Sequence, residues 1–241
     1  MSITIPEGKA KILSIVIPVF NKWNFTQACL EDLSHLPDNH EVIIVDNGST
    51  DETQDKINQM IRLPSNLYRK LVYYRFPENY GFAKACNKGY LIAISPNVLF
   101  LNNDIRVKSN HTNWTANLIT GAANAIVGPT MGQLDDNFNF VQEANKQLDG
   151  NSYMSGWCIA SSRKIWEQFK LDHHDGPFSE EFGLAYFEDT DLGFRARQQN
   201  ITTMVVDIPV VHFGKQTSSQ LNTHKLYTQA RQIFLKKWKK K

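Results

Sequence analysis

Apolar residues in the first hundred positions gather into four short runs separated by longer amphipathic stretches. The runs are Ile12-Leu13-Ser14-Ile15-Val16-Ile17-Pro18-Val19-Phe20, Glu41-Val42-Ile43-Ile44-Val45-Asp46, Leu71-Val72-Tyr73-Tyr74-Arg75-Phe76 and Val98-Leu99-Phe100-Leu101. Their β-branched and aromatic content, and their near-continuous apolarity, predict strands covered on both faces. Between them the spacing turns helical: near 24–36, from Thr50 to about Arg62, and from about Gly81 to Ala93. Ser49 and Glu52 have the spacing of a capping box at the start of the second helix. Strands alternating with helices predict an α/β fold, a largely parallel sheet with a helix on each crossover.

In such sheets ligands bind beyond the carboxyl ends of the strands. Those ends carry Asn21, Asp46-Asn47-Gly48-Ser49, Pro77-Glu78-Asn79-Tyr80-Gly81 and Asn102-Asn103-Asp104. Any one of them reads as an ordinary turn; four on one rim make a candidate site.

After residue 104 the alternation loosens. A helix is expected near 109–120, a strand at Ala125-Ile126-Val127, and little pattern in the polar stretch from Gly132 to Asn151. Ser155-Gly156-Trp157-Cys158-Ile159-Ala160-Ser161 reads as a strand, followed by a short helix and the loop Leu171 to Phe178. A strand at Thr203-Met204-Val205-Val206-Asp207, the segment Val210-Val211-His212-Phe213-Gly214-Lys215 and a helix from about Thr223 to Lys239 complete the chain. The densest charge cluster is Glu188-Asp189-Thr190-Asp191, between Tyr186-Phe187 and Leu192-Gly193-Phe194-Arg195. On a helix Glu188 and Asp191 share a face, Asp189 projects elsewhere, and Asp191 meets Arg195 at the i, i+4 spacing. Crowded carboxylates take raised pKa values, which suits a general base. An acidic first turn complementing the helix dipole is the plainer explanation of the same residues.

Composition narrows the function classes. With 241 residues, 41% hydrophobic, 21% charged and a net charge of +2, the chain reads as one globular domain with no bias toward nucleic acid. The one basic run, Lys236-Lys237-Trp238-Lys239-Lys240-Lys241, alternates with Phe234 and Leu235 and permits weak peripheral docking on an anionic membrane, or else is a solvated helix end. Cys29, Cys86 and Cys158 are odd in number and widely spaced, so neither a disulfide framework nor a zinc site is expected. Asp172-His173-His174-Asp175 offers metal-ligand residue types, but four adjacent residues converge poorly on one ion. With no secretory leader pattern and no membrane-spanning run, a cytoplasmic location is expected.

Taken together these motifs resemble glycosyltransferase family 2, enzymes of the GT-A fold that move a sugar from a nucleotide donor with inversion. The resemblance rests on Ser14 to Asn21 as the first strand, Val45-Asp46-Asn47-Gly48-Ser49-Thr50-Asp51 as the base-binding turn and Glu78-Asn79-Tyr80-Gly81-Phe82-Ala83-Lys84-Ala85-Cys86-Asn87 as the nucleotide-enclosing segment. Phe100-Leu101-Asn102-Asn103-Asp104 stands where the DxD-type metal motif belongs, with Asn102 in place of its first acid, and Glu188-Asp189-Thr190-Asp191 where the catalytic base belongs. The implied architecture is a single GT-A domain with a mostly parallel Rossmann-like sheet. About 10–105 would be the nucleotide-binding half, about 106–222 the acceptor and catalytic half, and 223–241 a C-terminal basic helix.

The resemblance also implies roles. A divalent cation, Mn2+ or Mg2+, would be held by Asp104 and His212 to offset diphosphate charge. Asp46 and Asn47 would bond the nucleobase or ribose of a UDP- or dTDP-sugar beside Pro18, Val19 and Phe20. Asn79, Gly81, Lys84, Asn87, Asn102 and Asn103 would line the nucleotide pocket, and Gly156 and Trp157 would meet the donor sugar and the acceptor. Asp189 is the implied base, Asp191 the runner-up with a structural role through Arg195, and Glu188 holds the acceptor or the local helix. The expected acceptor is a glycan or lipid-linked glycan. The competing class is a catalytically silent sugar-nucleotide or glycan-binding module on the same fold. A nucleotidyltransferase or dinucleotide oxidoreductase would need a glycine-rich loop after a strand, and Pro18-Val19-Phe20-Asn21-Lys22 is not one.

Overall fold

The four apolar runs become four strands of one sheet: β1 (Leu13–Val19), β2 (His40–Asp46), β3 (Leu71–Arg75) and β4 (Asn97–Leu101). A computed structural model describes residues 12–37, 39–62, 71–108, 113–169, 175–214 and 222–239 of the chain. The crossovers are α1 (Trp23–Leu33), α2 (Thr53–Arg62) and α3 (Phe82–Ile92). β1 pairs in parallel with β2 and β4, and β2 pairs in parallel with β3. Both faces of β1, β2 and β4 are covered, which is why these three strands are mostly apolar, whereas β3 lies at the sheet edge and is partly exposed: Ile15 and Ile17 face one core cluster, and Val16, Ile43 and Phe100 the other.

The second half supplies β5 (Ile105–Val107), α4 (Ala116–Ala122), β6 (Ile126–Gly128), β7 (Met131–Leu134), β8 (Phe140–Ala144), β9 (Ser152–Met154), β10 (Cys158–Ser162), α5 (Arg163–Trp166), α6 (Glu188–Gln198), β11 (Thr203–Val205), β12 (Val210–His212) and α7 (Thr223–Trp238). The main sheet runs β11-β6-β10-β4-β1-β2-β3. β10 is antiparallel to β4 and to β6, while β11 is parallel to β6. A mixed but mostly parallel α/β sheet is therefore observed, with one reversed strand inside it.

Two smaller sheets place chemistry. β5 and β12 pair so that His212 stands opposite Ile105, next to Asp104. β7, β8 and β9 form a three-stranded flap from the stretch whose sequence carried little pattern. β8 is exposed on both faces along most of its length, so it has no apolar alternation to read.

Several local expectations are corrected. The second helix starts at Thr53 rather than Thr50, and the Ser49–Glu52 capping box does not form. Ser49 instead sits in the β2 turn, where its N–H donates to Asp46 Oδ1 and its Oγ accepts from Asn21 N–H. Asp51 Oδ1 accepts the Thr53 N–H. Residues 155–157 form a turn rather than the start of a strand. The apolar side of α7 is turned inward: Phe234 is fully buried against Phe187 and Phe194, and Trp238 meets Phe194 edge-on. Phe234 and Trp238 of that basic end therefore face the protein, while Leu235 is half-exposed. No helix among the described residues is long and apolar enough to cross a membrane. Residues 109–112 of the fourth expected helix, and Asp172, His173 and His174, lie outside the described residues.

Candidate active site

The strand order puts the ends of β1, β2 and β4 side by side, and β10 closes on β4 from the other direction. Asn102 N–H donates to Trp157 O across that junction. Trp157 lies flat against His212, with ring centroids 4.6 Å apart and planes 9° from parallel. His212 Nε2 is 3.1 Å from Asp104 Oδ1 and 3.4 Å from the Asn102 amide nitrogen. Residues separated by more than a hundred positions thus meet because β12 is hydrogen-bonded to β5.

Asp104 is 4% exposed, and its Oδ1 is a buried oxygen without a well-oriented hydrogen bond. A buried carboxylate oxygen left in that state is costly. One hard oxygen and one imidazole nitrogen on the same spot fit a divalent cation whose remaining ligands come from a diphosphate and water. Among the described residues no cluster of three or more His, Cys, Asp or Glu side chains could hold a metal unaided.

A cavity of about 560 Å3 opens beside this pair. Of the residues expected at the site, it is lined by Asn102, Gly156, Trp157, Glu188, Asp189 and His212. Asp189 Oδ2 accepts the Gly156 N–H at 2.9 Å, and Oδ1 accepts the Thr190 N–H at 2.7 Å. A side chain at Gly156 would press on the Asp189 carboxyl, its Cβ falling 3.0 Å from Asp189 Cβ. Burial raises the Asp189 carboxyl above its ordinary pKa, against those two N–H donors, which lower it. Glu188 is 4% exposed, its Oε1 has no hydrogen-bond partner, and burial, with Asp189 next in line, pushes its pKa up to about 8.

The third acid of the cluster does something else. Asp191 is fully buried, with Oδ2 2.7 Å from Arg195 Nε and Oδ1 2.9 Å from both Trp238 Nε1 and Lys237 Nζ. Arg195 in turn donates to the carbonyls of Phe169 and Pro177. The Asp191–Arg195 contact has the spacing read from the sequence, and the Lys237 and Trp238 contacts add α7 to it. Tyr186 and Phe187 precede the helix at φ +80° and +70°. That is a strained conformation for aromatic residues, held by packing of Tyr186 and Phe187 on Tyr227 and of Phe187 on Phe234.

Most of the expected nucleotide-side residues have their side chains committed to the protein. Asp46 is fully buried and takes the Ser49 N–H, the Tyr73 hydroxyl and an Arg75 ion pair. Asn47 donates to Asn79 Oδ1 and Gly81 O and accepts from Tyr80 N–H, lacing the β2 turn to the turn after β3. Asn87 holds the 178–180 segment through both backbone groups of Phe178 and through Glu180. Asn103 bonds Thr26 on α1, and Val19 lies in the core. Lys84 caps the Tyr80 ring at 4.2 Å. Pro18 and Phe20 are half-buried at the end of β1. Gly81 has φ +94° and a Cβ there would meet Gly183 O at 2.3 Å. The close backbone approach it permits is to the 183–184 loop, whose Leu184 O accepts the Phe82 N–H.

The cavity also recruits residues that no motif marked. Glu143 of β8 accepts from Trp157 Nε1, and Phe140, Tyr153 and Tyr227 add aromatic surface to that of Phe82 and Tyr186 from the marked segments. Their elements are brought together only by the fold, so no local spacing announces them.

A family model described as glycosyl transferase family 2 matches residues 14–175, which stops short of α6. The chain is 21% identical over 217 residues to the glycosyltransferase EpsH of Bacillus subtilis, covering 86% of this chain and 62% of EpsH. Among solved structures it resembles the mannosyltransferase PcManGT of Pyrobaculum calidifontis, in complex with GDP-Man and Mn2+, at a TM-score of 0.60 and 16% identity over 82% of this chain and 55% of that one. It also resembles GalNAc-T7 with UDP, GalNAc and Mn2+, at a TM-score of 0.66 and 13% identity over 86% of this chain and 44% of that one. The chain thus spans about three fifths of EpsH and about half of these structures. The mostly parallel sheet flanked by helices matches GT-A glycosyltransferase structures, and the chain belongs to glycosyl transferase family 2.

Proposed function

We propose that this protein is an inverting, metal-assisted glycosyltransferase that moves a sugar from a nucleoside diphosphate donor, of the UDP or dTDP type, to a hydroxyl on a glycan acceptor. The observation that carries the reading is that Asp189 and His212 line one cavity, with Asp104 3.1 Å from the His212 ring. Asp189 is the base. Its raised pKa and remaining lone pairs let it take the acceptor proton as the acceptor oxygen bonds to the anomeric carbon. The bond from that carbon to the diphosphate oxygen breaks on the opposite face, and its electron pair leaves with the nucleotide. Gly156 N–H and Thr190 N–H hold the carboxylate oriented. Asp104 and His212 would hold a divalent cation that offsets the charge of the departing diphosphate. Asp46, Asn47 and Asn79 fix the shape of the nucleotide-side loops through their mutual bonds and leave recognition of the base to backbone groups and Phe20.

A panel of UDP-, dTDP- and GDP-sugars, with MnCl2 or EDTA, tests the reading by thermal shift and by donor hydrolysis. A UDP- or dTDP-sugar should raise the melting temperature and be turned over slowly, both only with the metal. Nucleotide binding without turnover of any donor would favour a silent binding module.

A further inference from the structure

The charge and shape of the Asp189 cavity bear on what the acceptor is. Among the described residues its lining holds three acids, Glu143, Glu188 and Asp189, and no Lys or Arg. An acceptor bringing a carboxylate or phosphate to this lining would find no Lys or Arg to pair with among the described residues, the cation proposed at Asp104 and His212 being taken up by the donor diphosphate. The rest of the lining is rich in rings. Phe140 stands 54% exposed at the start of β8, opposite Leu134 of β7, and Tyr186 meets Tyr227 of α7 edge-on. Such rings give flat apolar contact area for the C–H face of a sugar. The volume of about 560 Å3 is that of a small-ligand site.

Glu188 adds a second, independent observation. It is 4% exposed, lines the cavity and leaves Oε1 without a hydrogen-bond partner. Hydroxyl groups both donate and accept, so they complement this carboxyl whether or not it carries its proton. An alkyl chain would leave it unpaired, a loss buried polar groups rarely tolerate.

We infer that the acceptor enters this cavity as a neutral hexopyranoside, one ring face on the aromatic wall and its hydroxyls on Glu188 and Asp189, and that uronic acids and phosphorylated sugars are rejected. The inference rests on the transferase reading and narrows it to an acceptor class.

The test uses the full chain with UDP and MnCl2 present. Saturation-transfer NMR titrations compare octyl gluco-, galacto- and mannopyranosides with the matching octyl uronates, all below micelle formation. At least one neutral hexoside should bind through its ring C–H protons, with its uronate about tenfold weaker. Phe140→Ala should weaken that hexoside about fivefold without changing UDP affinity, and Glu143→Gln should shrink the discrimination against the uronate. Phe140 is exposed, so its loss leaves the fold intact. Equal or tighter uronate binding, no binding of any neutral hexoside, or indifference to Phe140→Ala would overturn the inference. Donor hydrolysis measured in parallel separates the two claims. Hydrolysis without hexoside preference removes only the acceptor class, and hexoside preference without hydrolysis of any donor removes only the transferase reading.

Discussion

Replacing Glu188 by Gln should make the protein more stable, and more so the higher the pH. In the unfolded chain this carboxyl titrates near 4.5, whereas burial in the fold moves it to about 8. Below pH 4.5 both states hold the proton and nothing is lost. As pH rises toward 8 the unfolded chain ionises while the folded protein keeps its proton, so stability falls across that window and levels off above it. At about 1.4 kcal/mol per pH unit, the ceiling on the loss is about 5 kcal/mol, and about 3 kcal/mol is a sober expectation. Gln keeps the shape and cannot ionise, at a pH-independent cost of about 1 kcal/mol for a buried amide. The variant should therefore match or slightly trail the parent at pH 5 and melt roughly 4–8 °C higher at pH 9. Melting curves for both proteins at half-unit steps from pH 5 to 9 give the difference directly. The raised Asp189 pKa is common to both proteins and drops out of it. Parallel curves, with a constant offset at every pH, would refute the claim that Glu188 is buried and protonated at neutral pH.

The other acids should separate by assay. Asp189→Asn should cut transfer by about a thousandfold or more while leaving the fold and donor affinity intact. Asp191→Asn should do the reverse, lowering stability by roughly 3–5 kcal/mol because it leaves Arg195 and Lys237 without their buried partner; denaturant titration reads it, and a catalytic loss at full stability would contradict the anchoring role. His212→Ala should raise the Mn2+ concentration needed for half-maximal donor binding about tenfold or more, measured by calorimetry with UDP present. Gly81→Ala, strained at φ +94° and blocked by Gly183 O, should cost about 2 kcal/mol or more in a denaturant titration.

The first half of the fold was legible because it obeys local rules. Strands buried on both faces must be apolar along their length, and β1, β2 and β4 are. The flap was not legible. β8 is exposed residue after residue, so its strand character comes from pairing with β7 and from no pattern of its own. The acidic cluster was half legible: helical spacing put Asp191 with Arg195, but nothing local revealed that Lys237 and Trp238 return from α7 to the same carboxylate. The turn residues after β2 and β3 were singled out as ligand-binding, whereas the structure engages the side chains of Asp46, Asn47 and Asn79 in loop architecture. Polar residues at strand ends look the same in sequence whether they bond a ligand or each other, because both uses need the same donors and acceptors.

The reversed strand in the sheet has a consequence for how such a protein can change. β10 comes from the second half of the chain yet lies between β4 and β6, exchanging hydrogen bonds with both. A cut near residue 105 would therefore expose the inner edge of β4 and strip Asn102 of its bond to Trp157. Exchanging whole halves between relatives would have to rebuild that seam. The lining of the cavity is changed more cheaply through the β7–β8 flap and the face of α7, which border it without carrying the sheet.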